Sequence, residues 1–196
     1  MVVAWRGEAA GALQVADTSQ AFDRETEFER LVLPLKDRMM RTVWRVARDP
    51  DLAEEAFQEA LVTAWRKLPA LARHPNPPAL VLRLCVDAAV DQLRSHRRRL
   101  ERRAPLEEGR AAGGGESPER AVQQRELRRL VLSALARLKG QQATALLLRA
   151  LHEEPYAAIA AALGCSEPTA RVHALRAREK LRHWLAQLRP ITESRR

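Results

Sequence analysis

Apolar residues recur along this chain at steps of three and four, the spacing of helices that turn one stripe toward a core. From Phe28 they fall at Phe28, Leu31, Val32, Leu35, Met39, Val43 and Val46. Pro34 interrupts this stripe, which predicts either a helix starting near Leu33 with Pro34 in its first turn or a segment kinked there. Asp49-Pro50-Asp51 ends that helix and opens another, with Asp51 as its cap and Glu54 completing a capping box. In the new helix Ala53, Ala56, Phe57, Ala60, Leu61, Ala64, Trp65 and Leu68 form the buried face. Glu55, Gln58, Glu59 and Val62 make a second stripe that points outward. Pro69 and the proline-rich stretch 74–78 predict an irregular loop over 69–79. Residues 79 to about 100 then read as a helix apolar almost all round until Leu93, whose one polar stripe is Asp87, Asp91, Arg94 and Arg98.

The pattern breaks at Ala111-Ala112-Gly113-Gly114-Gly115-Glu116-Ser117, the composition of a flexible linker. Ser117-Pro118-Glu119 is a helix start, with a cap, a proline at the first position and an early acid. The helix that follows carries Leu127, Leu130, Val131, Ala134, Leu135 and Leu138 on its apolar face. Further helices are expected over about 141–152, from Pro155 to Leu163, and over about 167–188, with Gly164 breaking the chain between the last two. No strand periodicity occurs anywhere. The expectation is an all-α protein: two small helical bundles joined by a flexible linker, the second containing a helix-turn-helix. The expected divisions are a leader at 1–24, a first domain at 25–103, a linker at 104–117 and a second domain at 118–190.

Charge changes the picture more than length does. The 196 residues hold 34 Lys plus Arg against 25 Asp plus Glu, a net charge of +9, and only four of the bases are Lys. An excess of forked, permanently charged guanidinium groups suits a polyanionic partner, although a GC-rich genome produces the same bias. The excess concentrates at 94–103, where six Arg meet one Glu at the end of a buried helix and include Arg97 and Arg98. Such a run can hold phosphates or be a solvated helix end. Cys85 and Cys165 have no partners for a disulfide framework or a zinc site and read as small core residues of a reducing compartment. No uncharged apolar run approaches the roughly 18 residues of a membrane span. A cytoplasmic protein without membrane insertion is therefore expected. The histidines at 74, 96, 152, 173 and 183 are scattered, and Gly113–Gly115 lacks the Lys and hydroxyl of a phosphate loop. Asp91 with Arg94 three residues on reads as an ion pair rather than as half of an acid/base dyad. Neither an enzyme nor a cofactor is indicated.

Tyr156 to His173 fits a helix-turn-helix, with Ala160 small enough for two helices to cross, Gly164 able to take positive φ at the turn, and Ile159 and Leu163 fixing the angle. Its second helix would present Ser166, Thr169, Arg171, His173, Arg176 and Arg178, the earlier ones near base edges and the later ones near phosphates. A plain helical hairpin with a basic face fits the same residues. The outward stripe Glu55, Gln58, Glu59 and Val62 can likewise be a partner-binding face or a solvated acidic one.

Taken in order, these segments resemble the extracytoplasmic-function group of the sigma-70 family of bacterial RNA polymerase sigma factors, from about Phe28 to Leu188. Leu52 to Trp65 is similar to the family's region-two helix, acidic, then Gln-Glu, then Trp, which docks on the polymerase clamp; the resemblance gives that role to Glu55, Gln58 and Glu59. Arg83 to Arg94 resembles the segment that reads and melts the minus-ten element, with Asp91 and Arg94 in place. Tyr156 to Arg182 is similar to region four, whose last helix enters the major groove at the minus-thirty-five element. The sequence departs from the pattern at Asp87, where Asn is usual, at Leu80 for Trp, at Glu154 for Leu, at Ala158 for Glu, and at Ala170 for a β-branched residue. The resemblance implies core RNA polymerase and promoter DNA as partners, leaves an anti-sigma factor open as a third, and implies promoter-specific initiation. Two other readings stay open from sequence: a polymerase-independent helix-turn-helix regulator, and a sigma-like interaction protein with impaired DNA reading.

Overall fold

The computed structural model describes residues 24–102 and 118–187. The linker expected at 104–117 and nearly all of the leader expected at 1–24 lie outside the described residues. Every regular element among the described residues is helical.

Pro34 decides how the chain begins. A helix over 24–32 (α1) gives way to a 3-10 turn at Leu33–Leu35 before α2 runs over Lys36–Ala47. The kinked alternative is the one adopted, because proline lacks the N–H that an unbroken helix would need there and crowds the preceding turn. Arg48, in the left-handed conformation at φ 55°, closes α2 by donating its N–H to the Trp44 carbonyl. The next helix, α3, spans Pro50–Arg66 and is capped by Asp49, not by the expected Asp51. The Asp49 carboxylate accepts from the Leu52 N–H at 3.0 Å, and Pro50 takes the first helical position, where its missing N–H costs nothing.

Pro69 sits in the first turn of a short helix, α4 (Leu68–Ala72), by the same tolerance, so the expected loop over 69–79 shrinks to a few residues around His74 and Asn76. The Asn76 side chain accepts from the Ala79 N–H at 3.1 Å and so opens α5, Pro77–Arg102.

The long α5 explains the architecture. From Ala79 to Leu93 its side chains are buried on nearly every side. One flank packs on α2, α3 and α4; the other packs on the second set of helices, α6 (Pro118–Arg137), α7 (Gly140–His152) and α8 (Tyr156–Leu163). The apolar circumference of α5 thus serves two bundles, which meet across it and share one continuous core. The last helix, α9 (Glu167–Gln187), packs on α6, α7 and α8 through Ala170, Ala174 and Ala177. These alanines recur at helical spacing and let the helix axes approach closely.

Two apolar positions assigned to the core are not there. Leu127 is 59% exposed because α6 buries only its last turns, around Ala134, Leu135 and Ala136. Trp65 is 38% exposed at the end of α3, where Phe28 meets it edge-on with ring centroids 5.4 Å apart and the Arg24 guanidinium lies over its ring at 5.1 Å. Trp65 therefore staples α1 to the outside of α3 instead of filling the core.

Among the described residues, no helix is long and apolar enough to cross a membrane, and no group of three or more His, Cys, Asp or Glu could hold a metal ion.

Candidate functional site

Three surfaces carry the residues singled out from sequence. The first is the outer face of α3. Its inner face buries Leu52, Ala53, Ala56, Phe57, Ala60 and Ala64, so the helical repeat turns Glu55, Gln58, Glu59 and Val62 outward, and all four are exposed. Glu55 lies 4.0 Å from Arg99, and Glu59 accepts from the Thr63 hydroxyl at 3.3 Å. Val62 and Trp65 add apolar area at the end of the stripe, giving carboxylates beside an apolar edge, a composition suited to a basic protein partner.

The second surface is the polar stripe of α5. Arg94 pairs with Asp91 at 2.7 Å, as their spacing predicts, and Arg97 with Glu101 at 2.7 Å, while Arg98 is exposed. The structure adds partners that no linear pattern signals. Asp87 receives Arg83 at 3.2 Å on one oxygen and the Thr144 hydroxyl at 2.5 Å on the other. Arg94 reaches the carbonyls of Ala136, in the last turn of α6, and of Leu138 just after it, at 3.3 and 2.6 Å. Asp87 and Arg94 are thus engaged with the second bundle.

The third surface is the helix-turn-helix. Gly164 holds φ +67°, and the N–H groups of Gly164 and Cys165 return to the carbonyls of Ala161 and Ala160, closing α8 in a Schellman arrangement. After that turn Ser166, Thr169, Arg171, Arg176 and Arg178 are all exposed. Ser166 and Thr169 share a hydroxyl hydrogen bond at 2.8 Å. Arg171 is held by Glu167 and lies over the Tyr156 ring at 4.6 Å, which fixes the guanidinium before any ligand arrives. His173 differs from the expectation. It is half-buried, with Nδ1 lacking a hydrogen-bond partner, because its position turns toward the flank of α9 rather than its crest. Lys180 is tied back to Gln142 at 3.0 Å.

The family profile described as sigma-70 region 2 matches residues 31–99, and that of sigma-70 region 4 matches 128–181. Together they span more than half of the chain.

The chain belongs to the sigma-70 family, as an extracytoplasmic-function type with regions 2 and 4. As a sigma factor it performs no catalysis of its own, binds core RNA polymerase and promoter DNA, and directs promoter-specific transcription initiation. The stand-alone regulator considered from sequence gives way to this assignment. The RNA polymerase sigma-H factor of Pseudomonas aeruginosa is 27% identical over 86% of this chain and 90% of its own length. A protein of Xanthomonas campestris pv. campestris named "Probable RNA polymerase sigma factor RfaY" is 28% identical over 82% of this chain, which spans 40% of that protein. Among solved structures, the sigma factor RpoE of Bartonella quintana, in complex with the anti-sigma factor NepR, aligns with a TM-score of 0.48 at 21% identity over 81% of this chain and 96% of that one.

Region 2 of this sigma factor also touches the far end of α7. The Thr42 hydroxyl donates to the Arg38 carbonyl at 2.6 Å, which leaves the His152 Nε2–H to donate to Thr42 at 2.9 Å. Burial, with positive charge from Arg38, Arg45 and Arg41 around it, pulls the His152 imidazole down to about 4 from an ordinary 6.5. The unfolded chain therefore takes up this proton below about 6.5, while the folded one resists until about 4. The stability held by neutral His152 is present above that upper value and is lost as pH falls through the window. Melting temperature measured from pH 7.5 to 5 should fall more steeply for the natural chain than for His152→Gln, which keeps a donor for Thr42 but no titrating group. Equal slopes would contradict this role.

Proposed function

We propose that the first domain, 25–103, holds core polymerase through Glu55, Gln58, Glu59 and Val62 and contacts the minus-ten element through Asp87, Asp91, Arg94, Arg97 and Arg98. The second domain, 118–190, reads the minus-thirty-five duplex through Ser166, Thr169, Arg171, Arg176 and Arg178, with His173 in a supporting position on the same helix. The segment 104–117 links them, 1–24 leads in, and the protein works in the cytoplasm, where polymerase and promoter meet. The observation that carries this reading is the exposed run of hydroxyl and guanidinium groups along the first half of α9, directly after the Gly164 turn. Such a helix offers hydrogen-bond donors to base edges at its start and positive charge to phosphates further along.

Arg176→Ala tests it. In a run-off assay with core polymerase on a promoter mapped for this holoenzyme, the variant should lose about 1–3 kcal/mol of upstream binding, roughly a 5- to 150-fold drop in open-complex formation at low occupancy. Its co-elution with core polymerase should be unchanged. Full activity of the variant at every promoter concentration would remove Arg176 from the reading surface.

A further inference from the structure

The outermost line of α9 is apolar. Ala170, Ala174 and Ala177 turn toward the rest of the domain and are buried. At ~100° per residue, Val172 lies within roughly 20° of the direction opposite those three alanines, and Leu175 within roughly 50°. Val172 is 40% exposed and Leu175 52%, and neither belongs to the hydrophobic core. The same helical count puts Arg171 on one flank of this ridge and Arg176 on the other, and both are exposed. Glu179, exposed one turn beyond Leu175, ends the ridge with a carboxylate. Two large apolar side chains thus stand farthest from the core, in the first half of a helix whose flanks are charged.

A ridge in that place meets the floor of the groove that the helix enters. The base edges of the major groove carry hydrogen-bond donors and acceptors, and the one apolar group among them is the C5 methyl of thymine. Valine and leucine side chains form no hydrogen bond. Against any other base edge they would take water from a donor or acceptor and put nothing in its place. Against thymine they cover a methyl group and are covered by it, which removes apolar surface from water on both sides. Their separation of three residues is ~4.5 Å along a helix rising 1.5 Å per residue. That matches methyl groups on neighbouring base pairs, which rise ~3.4 Å per step, better than groups several pairs apart. Beside the ridge, Arg171 is held by Glu167 and lies over the Tyr156 ring, which carries Arg149 as a second cation at 5.5 Å. The guanidinium is therefore drawn aside to the flank, and the floor is left to Val172 and Leu175.

We propose that Val172 and Leu175 are specificity-determining residues of the second domain, selecting thymine at neighbouring base pairs of the upstream element by contact with its methyl group. This inference deepens the placement of α9 in the major groove proposed above and rests on it.

The test uses the holoenzyme on the promoter mapped for it, with each thymine of the upstream block replaced in turn by deoxyuridine, which lacks the C5 methyl and keeps every hydrogen-bonding group. Open-complex formation at low occupancy should fall about fourfold at each of two neighbouring positions, the worth of one methyl group taken out of water, and stay unchanged at the other thymines. Holoenzyme carrying Val172→Ala should lose about as much on the unmodified promoter and respond no further to deoxyuridine at one of the two positions. Leu175→Ala should do the same at the other. Both side chains are exposed, so the variants should keep their helix content, which circular dichroism reads. An upstream block without two neighbouring A·T pairs would overturn the proposal. So would deoxyuridine without effect at every position on a promoter where Arg176→Ala still loses upstream binding, and that result would leave the reading surface on α9 standing. A methyl effect undiminished in both alanine variants would overturn it by giving the contact to another side chain. Deoxyuridine without effect together with an unimpaired Arg176→Ala would overturn both the ridge and the placement of α9.

Discussion

Replacing Glu55 and Glu59 together by Arg is expected to weaken association with core RNA polymerase by at least about a hundredfold, because two attractive charges become repulsive at a polar interface where like-charge contacts cost several kcal/mol. Both side chains lie on the exposed face of α3, and neither contributes to the core below. Their local partners are weak ones, Arg99 at 4.0 Å and the Thr63 hydroxyl at 3.3 Å. The variant should therefore keep its helix content and a melting temperature close to that of the natural chain, as surface substitutions commonly do. Sizing chromatography with core polymerase reads the loss, and circular dichroism reads the control. A doubly reversed protein that still co-elutes would move the polymerase contact away from α3.

The largest effect on stability is expected from Leu82→Ala. Leu82 is fully buried near the start of α5, in the helix that packs on both bundles. Removing three carbons there leaves a cavity that rigid neighbours fill only in part, at about 2–5 kcal/mol. With roughly 2–4 °C lost per kcal/mol at this chain length, the melting temperature should fall by about 4–20 °C. Leu127→Ala provides the contrast. The sequence pattern placed Leu127 on a buried face, but it is 59% exposed, and its truncation should change stability by no more than about 0.5 kcal/mol. Equal losses from the two substitutions, measured by urea unfolding, would contradict the burial of Leu82 and the exposure of Leu127.

These two leucines also show where the sequence was informative. Helices declared by dense apolar spacing, such as α3, α5 and α7, appear close to their expected places, and the Gly164 turn falls where a small residue and a positive φ were required. Proline was harder to read. Pro69 and Pro77 open helices where a loop was expected, since proline breaks a helix in its interior but is tolerated in its first turn. The α3 stripe and most of the α9 face were legible, because exposure follows from helical period once the opposite face is apolar. His173 was not, since a position at the edge of the stripe turns inward or outward according to its neighbours.

What the sequence concealed altogether was the meeting of the domains. Thr144 lies 57 residues from Asp87, and Glu154 lies 116 from Arg38, so no local spacing signals either contact. The apolar circumference of α5 was the one available sign. A helix apolar almost all round needs more cover than α2, α3 and α4 provide, and the second domain supplies it. Asp87, Glu154 and Ala158, three departures from the family pattern, all lie in this interface. A carboxylate at 87 accepts from Thr144 and Arg83, and an alanine at 158 fits against Ala79, so these residues have structural work between domains whatever they do at DNA.

This chain directs core polymerase to promoters, and the surfaces proposed on α5 and α9 would read two separate sequence blocks there. The most direct measurement is in vitro transcription with purified core polymerase over a randomised duplex library, followed by sequencing of transcript 5′ ends. Start sites are expected that appear only when the chain is added and that lie downstream of two recurrent sequence blocks at a constant spacing. A distribution of start sites indistinguishable from that of core polymerase alone would contradict that expectation.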